Sequence, residues 1–139
     1  MAIQKIGVIG AGQMGNGIAQ VAAQVGFDVV MQDISAASLE KGLATISSSC
    51  DRMIKKQTMT EDQKKSLLAK IKTSTQLSDL AQVDIVIEAA TENVDLKLKI
   101  FRDLDQIVKK DALLVSNTSS ISITKIAGVT GRPDKVAGM

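Results

Sequence analysis

Residues 7–19 read Gly-Val-Ile-Gly-Ala-Gly-Gln-Met-Gly-Asn-Gly-Ile-Ala, so five of the chain's ten glycines fall within thirteen positions. Such a run suits neither the middle of a helix nor the middle of a strand, because glycine loses the most backbone freedom on ordering. It suits a tight junction between the two. Upstream, Lys5 to Ile9 is a short apolar run of the kind that forms a parallel strand buried on both faces. Downstream, Gln13 to Val25 carries Met14, Ile18, Val21, Ala22 and Val25 at helical spacing, with Gly26 as its stop. A second apolar run, Phe27 to Gln32, follows. The stretch therefore reads as one β-α-β unit of about thirty residues.

Inside that unit, Gly10-Ala11-Gly12-Gln13-Met14-Gly15 matches G-x-G-x-x-G at the strand-to-helix turn. The first glycine permits the turn, the second lets the backbone approach a pyrophosphate, and the third lets helix and strand pack closely. A diphosphate would then meet the unpaired N–H groups of a helix N-terminus, with Gly10, Gly12, Gln13, Met14 and Gly15 as the expected contacts. A P-loop is excluded because Asn16-Gly17 stands where Lys-Ser/Thr is required. A kinase loop is excluded because the chain has no histidine for a catalytic loop. Asp33 ends the second strand about twenty residues on, where a carboxylate accepts from the adenosine ribose hydroxyls. It would repel a 2′-phosphate, and Ile34 offers no compensating cation, so NAD is favoured over NADP.

The rest of the chain supports a layered α/β fold. Val83 to Glu88 and Ala112 to Ser116 are further Ile/Val/Leu-rich strands, and a short strand is expected near Ile71 to Thr75 and another from Lys135. Ser35 or Ser38 caps a long helix whose Leu39, Leu43, Ile46, Cys50 and Met53 form an apolar seam. Thr60 caps a second helix, Glu61 to Lys70, and further helices are expected over Val94 to Val108 and Ser122 to Gly128. The expected class is a Rossmann-type doubly wound, mainly parallel sheet with a protruding helical hairpin, one domain spanning 1–139.

Composition narrows the function. A net charge of +2 and only two aromatic residues, both Phe, argue against nucleic acid. One cysteine, Cys50, forms no internal disulfide and sits in the seam, where core packing is a commoner role than a reactive thiol. The N-terminal apolar run stops far short of the ~20 residues of a membrane span, and a cytoplasmic location is the expectation. Zero histidines remove the usual proton-transfer group and the commonest transition-metal ligand, so no metal site is expected.

Three segments, Gly10-Ala-Gly-Gln-Met-Gly-Asn-Gly-Ile-Ala19, Glu88-Ala-Ala-Thr-Glu-Asn93 and Ser116-Asn-Thr-Ser-Ser120, resemble the L-3-hydroxyacyl-CoA dehydrogenases, and within them the bacterial 3-hydroxybutyryl-CoA enzymes. The likeness runs through Arg132-Pro-Asp-Lys-Val-Ala-Gly-Met139. It implies hydride transfer between C3 of a 3-hydroxyacyl-CoA and NAD, by a nucleotide domain followed by a helical dimerisation domain. In the family the chain continues with His-Phe-Phe-Asn-Pro, whose histidine is the general base, and a later glutamate and asparagine complete the site. None of these lies within the 139 residues, so the chain reads as the first domain only, inactive alone and with an apolar patch exposed. A homodimer or higher homo-oligomer is implied for the parent protein.

The same resemblance implies individual roles. Ser119 is similar to the serine that hydrogen-bonds the substrate C3 oxygen beside the nicotinamide, although Ser119 or Ser120 could instead cap the following helix. Asn117 orders this loop. Glu92 holds the nicotinamide ribose, with Ala90 and Lys97 beside the cofactor. For Glu92 and Lys97 the alternative is a solvated charge at a helix start or outer face. Ser49, Arg52 and Lys56 lie at i, i+3 and i+7, a polar stripe with positive charge. The resemblance suggests that Arg52 and Lys56 meet the phosphates of coenzyme A, against a solvated face as the other reading. A stand-alone module that binds NAD(H) or an acyl-CoA without catalysis is the competing function, and a relative acting on another hydroxylated substrate is a third.

Overall fold

The computed structural model describes residues 3–90, 93–117 and 122–139. Six strands form one sheet in the order β3-β2-β1-β4-β5-β6, every pair parallel. They are β1 (Lys5–Ile9), β2 (Asp28–Gln32), β3 (Ile71–Ser74), β4 (Ile85–Glu88), β5 (Leu113–Ser116) and β6 (Val136–Gly138). The helices are α1 (Gln13–Val25), α2 (Ala36–Lys55), α3 (Glu61–Ala69), α4 (Val94–Ile107) and α5 (Ile123–Ala127). The chain leaves β1 toward β2 and leaves β4 toward β5 on the opposite side. The C-terminal ends of β1 and β4 are thus the switch point where such sheets open a ligand crevice.

Two apolar layers sandwich the sheet. On one side Val8, Met31 and Val29 pack with Ala19 and Ala22 of α1, Ile46 and Cys50 of α2, and Leu67 of α3. On the other, Val86 and Leu114 pack with Leu98, Phe101 and Leu104 of α4 and Ile126 of α5. The predicted seam of α2 points inward, with Leu39, Ile46 and Cys50 buried and Leu43 and Met53 packed against them. Burial pushes the Cys50 thiol up from its ordinary value, which suits the core role.

Helix α1 corrects one expectation. Its Met14, Val21 and Val25 are exposed, and the buried residues are Gly15, Asn16, Ala19, Ala22 and Ala23. The helix approaches the sheet through its smallest side chains, because a Cβ on Gly15 would stand 1.7 Å from the Gly10 carbonyl oxygen. The bulky stripe is left outside, where with Ile6, Phe27, Ile87 and Met139 it lines an open groove of about 940 Å³. Ile85 and Ile87 of β4 and Leu113 and Val115 of β5 are likewise only half-buried.

Two polar ties hold the sheet's far side. Arg132 is buried, donates to Asp105 Oδ1 at 2.8 Å and to the carbonyls of Lys109, Ala112, Asp105 and Val108, and so satisfies the C-terminal end of α4. Asp84 accepts from the amides of Gln4 and Lys5 and pairs with Lys109. No helix among the described residues is long and apolar enough to cross a membrane.

Candidate functional site

The glycine turn after β1 is built as its sequence requires. Gly10 has φ +103°, and a Cβ there would lie 2.9 Å from the Ala89 carbonyl oxygen and 3.0 Å from Ala90 Cα, so the turn after β1 touches the turn after β4. Asn16, which the motif leaves unassigned, is buried and its Nδ2 donates to the Gly12 carbonyl at 2.7 Å, bracing the loop from inside the helix. At Gly12 a Cβ would meet nothing within 4 Å. That position is open toward the crevice.

The helix ends tell the same story. Ser35, Thr60, Asn93 and Ser122 cap α2, α3, α4 and α5 with their side chains, and Thr60 with Gln63 completes a capping box. No side chain caps α1, which starts at Gly12 with no acidic residue in its first turn. Its free amides, carried by Gln13 and Met14, therefore face the crevice with the positive end of the helix dipole behind them.

Asp33, half-buried just past β2, accepts the Ala11 amide at Oδ2 (3.0 Å) and the Ser35 amide at Oδ1 (2.9 Å). It fixes the glycine turn on one side and the start of α2 on the other. A carboxylate has about four acceptor positions, so two amides leave room for ribose hydroxyls. Beside it lies a cleft of about 310 Å³ lined by Gly10, Asp33, Ile34, Leu77, Leu96 and Ile100 among others. Ile34 is 90% exposed and Leu96 47%, two aliphatic side chains left in water along this cleft. The sequence reading used Ile34 only as a missing cation and did not single out Leu77, Leu96 or Ile100. Nothing in their local pattern distinguishes them from core residues.

The end of β4 is built around charge in the core. Lys97 is fully buried, which removes the reading of a solvated charge on the outer face of α4. Its Nζ lies 3.0 Å from Glu88 Oε1. Glu88, the last residue of β4 and also fully buried, accepts from the Ala90 amide at 2.8 Å and from Ser116 Oγ at 3.0 Å. The Asn117 amide donates to the Glu88 carbonyl at 2.8 Å, joining the ends of β4 and β5. Ala90 lines the cleft beside Asp33, and Asn117 is held next to Glu88. Glu92, Ser119 and Ser120 lie outside the described residues.

Ser49, Arg52 and Lys56 occupy one face of the far half of α2, Lys56 as its C-cap. The Ser49 hydroxyl accepts from Gln20 Nε2 of α1 at 3.0 Å, so Ser49 ties the two helices together. Arg52 and Lys56 are exposed. A separate hollow of about 540 Å³ between the glycine turn and α2 is lined by Gly12, Gln13, Asn16, Ser38, Lys41 and Thr45 among others. Its Lys41 is a cation near the turn that the sequence reading passed over.

Comparison with known proteins agrees with this geometry. The family described as "3-hydroxyacyl-CoA dehydrogenase, NAD binding domain" matches residues 5–139. The chain is 50% identical over 137 residues to a 3-hydroxybutyryl-CoA dehydrogenase of Bradyrhizobium diazoefficiens, covering 99% of this chain and 47% of that protein. It is 45% identical over 139 residues to a probable 3-hydroxybutyryl-CoA dehydrogenase of Bacillus subtilis, covering 100% and 48%. Among solved structures, an (S)-3-hydroxybutyryl-CoA dehydrogenase of Ralstonia eutropha superposes with a TM-score of 0.96 at 58% identity, covering 99% of this chain and 49% of the other. The chain thus spans about half the length of the relatives it matches. It belongs to the 3-hydroxyacyl-CoA dehydrogenase family and is that family's NAD-binding domain.

Proposed function

We propose that these 139 residues are the nucleotide-binding half of a 3-hydroxybutyryl-CoA dehydrogenase, a protein that interconverts 3-hydroxyacyl-CoA and 3-oxoacyl-CoA and works as a homo-oligomer in fatty acid or butyrate metabolism. The observation that carries the cofactor half is the uncapped start of α1 beside an open Gly12, with the Asp33 carboxylate one strand away. These residues fit NAD: the amides at Gly12, Gln13 and Met14 suit its pyrophosphate, Asp33 its adenosine ribose, and the Ile34/Leu96 cleft its adenine. Bound NAD supplies a hydride acceptor at the nicotinamide. Ala90, Glu92, Lys97, Asn117 and Ser119 are assigned to that end of the crevice, with Ser119 holding the C3 oxygen of the substrate.

Substrate recognition is assigned to α2. Exposed Arg52 and Lys56 can neutralise coenzyme A phosphates, and Ser49, through its link to Gln20, sets the position of that face. The family's general base is a histidine, and the chain has none. Proton transfer from the C3 hydroxyl is therefore assigned to a residue outside these 139, and the chain by itself to binding without turnover.

Titration of the chain with NADH and with NADPH, read by the nucleotide's own fluorescence, tests this function. The expected result is saturable NADH binding, NADPH weaker by about tenfold or more, and no oxidation of NADH on adding acetoacetyl-CoA. Equal affinity for the two nucleotides would remove the role of Asp33. Steady turnover by the chain would show that it carries its own base.

A further inference from the structure

Two strands flank β1 in the sheet, and each ends in a carboxylate that holds a turn of the crevice. After β2 it is Asp33, which accepts the Ala11 amide of the glycine turn. At the end of β4 it is Glu88, which accepts the Ala90 amide of the opposite turn. Asp33 is half-buried and open to a ligand, whereas Glu88 is fully buried. Glu88 therefore acts on its neighbours.

Those neighbours are three separate segments. Oε2 takes the turn after β4, Oε1 takes Ser116 at the end of β5, and the same oxygen stands 3.0 Å from Lys97 Nζ on α4. The turn it anchors packs against Gly10. A buried ion pair is weak ground for stability, since apolar residues of the same volume do as well or better in a core. The pairing is also incomplete: the Lys97 ammonium approaches Glu88 off the line of a hydrogen bond and has no hydrogen-bond partner among the described residues. Its position is held by charge attraction to Glu88.

We propose that Glu88 is a positioning residue for the nicotinamide half of the site: through the Ala90 amide, the Ser116 hydroxyl and the Lys97 ammonium, it fixes Ala90 and α4 against the ends of β4 and β5. The proposal rests on the NAD reading above. It makes a one-sided prediction, because the direct contacts assigned to the adenosine half, Asp33 and the start of α1, keep their own hydrogen bonds when Glu88 is changed.

The test compares NADH, which carries both halves, with ADP, which carries only the adenosine and phosphates. For the Glu88→Gln chain, NADH affinity should fall about tenfold, the loss expected for one buried charge-assisted contact. ADP affinity should stay within about twofold of the parent. Ser116→Ala keeps both charges and removes one hydroxyl, so it remains informative if Glu88→Gln does not fold. Its NADH affinity should fall about threefold with ADP unchanged. Folded variants that bind NADH as the parent does would overturn the proposal and leave the NAD reading intact. Equal losses for NADH and ADP would also overturn it, since they would mean general damage to the fold. A parent chain that binds neither nucleotide would instead overturn the NAD reading, and the proposal with it.

Discussion

A Cβ built on Gly15 would stand 1.7 Å from the Gly10 carbonyl oxygen, whereas one built on Gly12 would meet nothing within 4 Å. The two glycines are three residues apart and serve opposite purposes. Gly15 lets helix and turn close on each other, and Gly12 keeps clear a space outside the chain. Gly15→Ala should therefore destabilise the fold by at least about 1–3 kcal/mol, because a methyl group is forced against backbone, and thermal unfolding will show it. Gly12→Ala should unfold at the parent temperature and lose NADH affinity by about tenfold or more, as its methyl occupies the ligand's place. A Gly12→Ala chain that binds as the parent does would take Gly12 out of the site. The sequence separates neither case, since both residues are glycines of one motif. Only the neighbours each glycine meets in space tell them apart.

At the scale of elements, the strands and helices arise from local pattern, and their joints arise from polar contacts between residues distant in sequence. Asp84 shows this. It precedes β4, accepts the amides of Gln4 and Lys5 as they enter β1, and pairs with Lys109 beyond α4. Lys109, followed by the two amides, holds its carboxyl well below the usual carboxylate range. A carboxylate with a depressed folded pKa adds stability that is complete above its ordinary value of 3.8 and is lost as the pH falls from there toward the folded value. Urea unfolding at pH 5 and at pH 3 should accordingly show a smaller acid loss of stability for Asp84→Asn than for the parent. An identical loss in both chains would mean that this tie does not govern the acid limb. The joint was invisible in the sequence because residues about 80 positions apart make it. The capping residues, by contrast, were legible: Thr60 stands where the motif places it, Ser35 is one of the two candidates read for α2, and each accepts from its own first turn.

The whole molecule has an open side. Met14, Val21 and Val25 of α1 stand exposed along a groove that Met139 also lines, and the adjoining faces of β4 and β5 are only half-buried. A contiguous apolar surface of this kind promotes association in water. The 139-residue chain should self-associate as its concentration rises, measured by sedimentation velocity. A Val21→Lys, Val25→Glu chain should remain monomeric over the same range without losing thermal stability, since neither side chain is in the core. Unchanged association would place the contact elsewhere on the surface.

The amino-acid order by itself determined the β-α-β unit, the glycine turn, Asp33 and most element boundaries, because period, turn chemistry and caps act over a few residues. It did not determine which face of α1 is buried. Hydrophobic spacing favoured the Met14–Val25 stripe, of which Ala22 and, in part, Ile18 do pack inward, whereas Met14, Val21 and Val25 give way to close packing of Gly15, Ala19 and Ala23 on the sheet. It marked Lys97 by family likeness and left open whether that charge is solvated. The tertiary structure decided this by placing Glu88, nine positions earlier, at the same buried point. An acidic residue ending an apolar strand is a visible signal at both Asp33 and Glu88. Only the fold shows that one faces the crevice and the other is enclosed in the core, because the direction of a strand-end side chain depends on what the neighbouring strands and helices leave open.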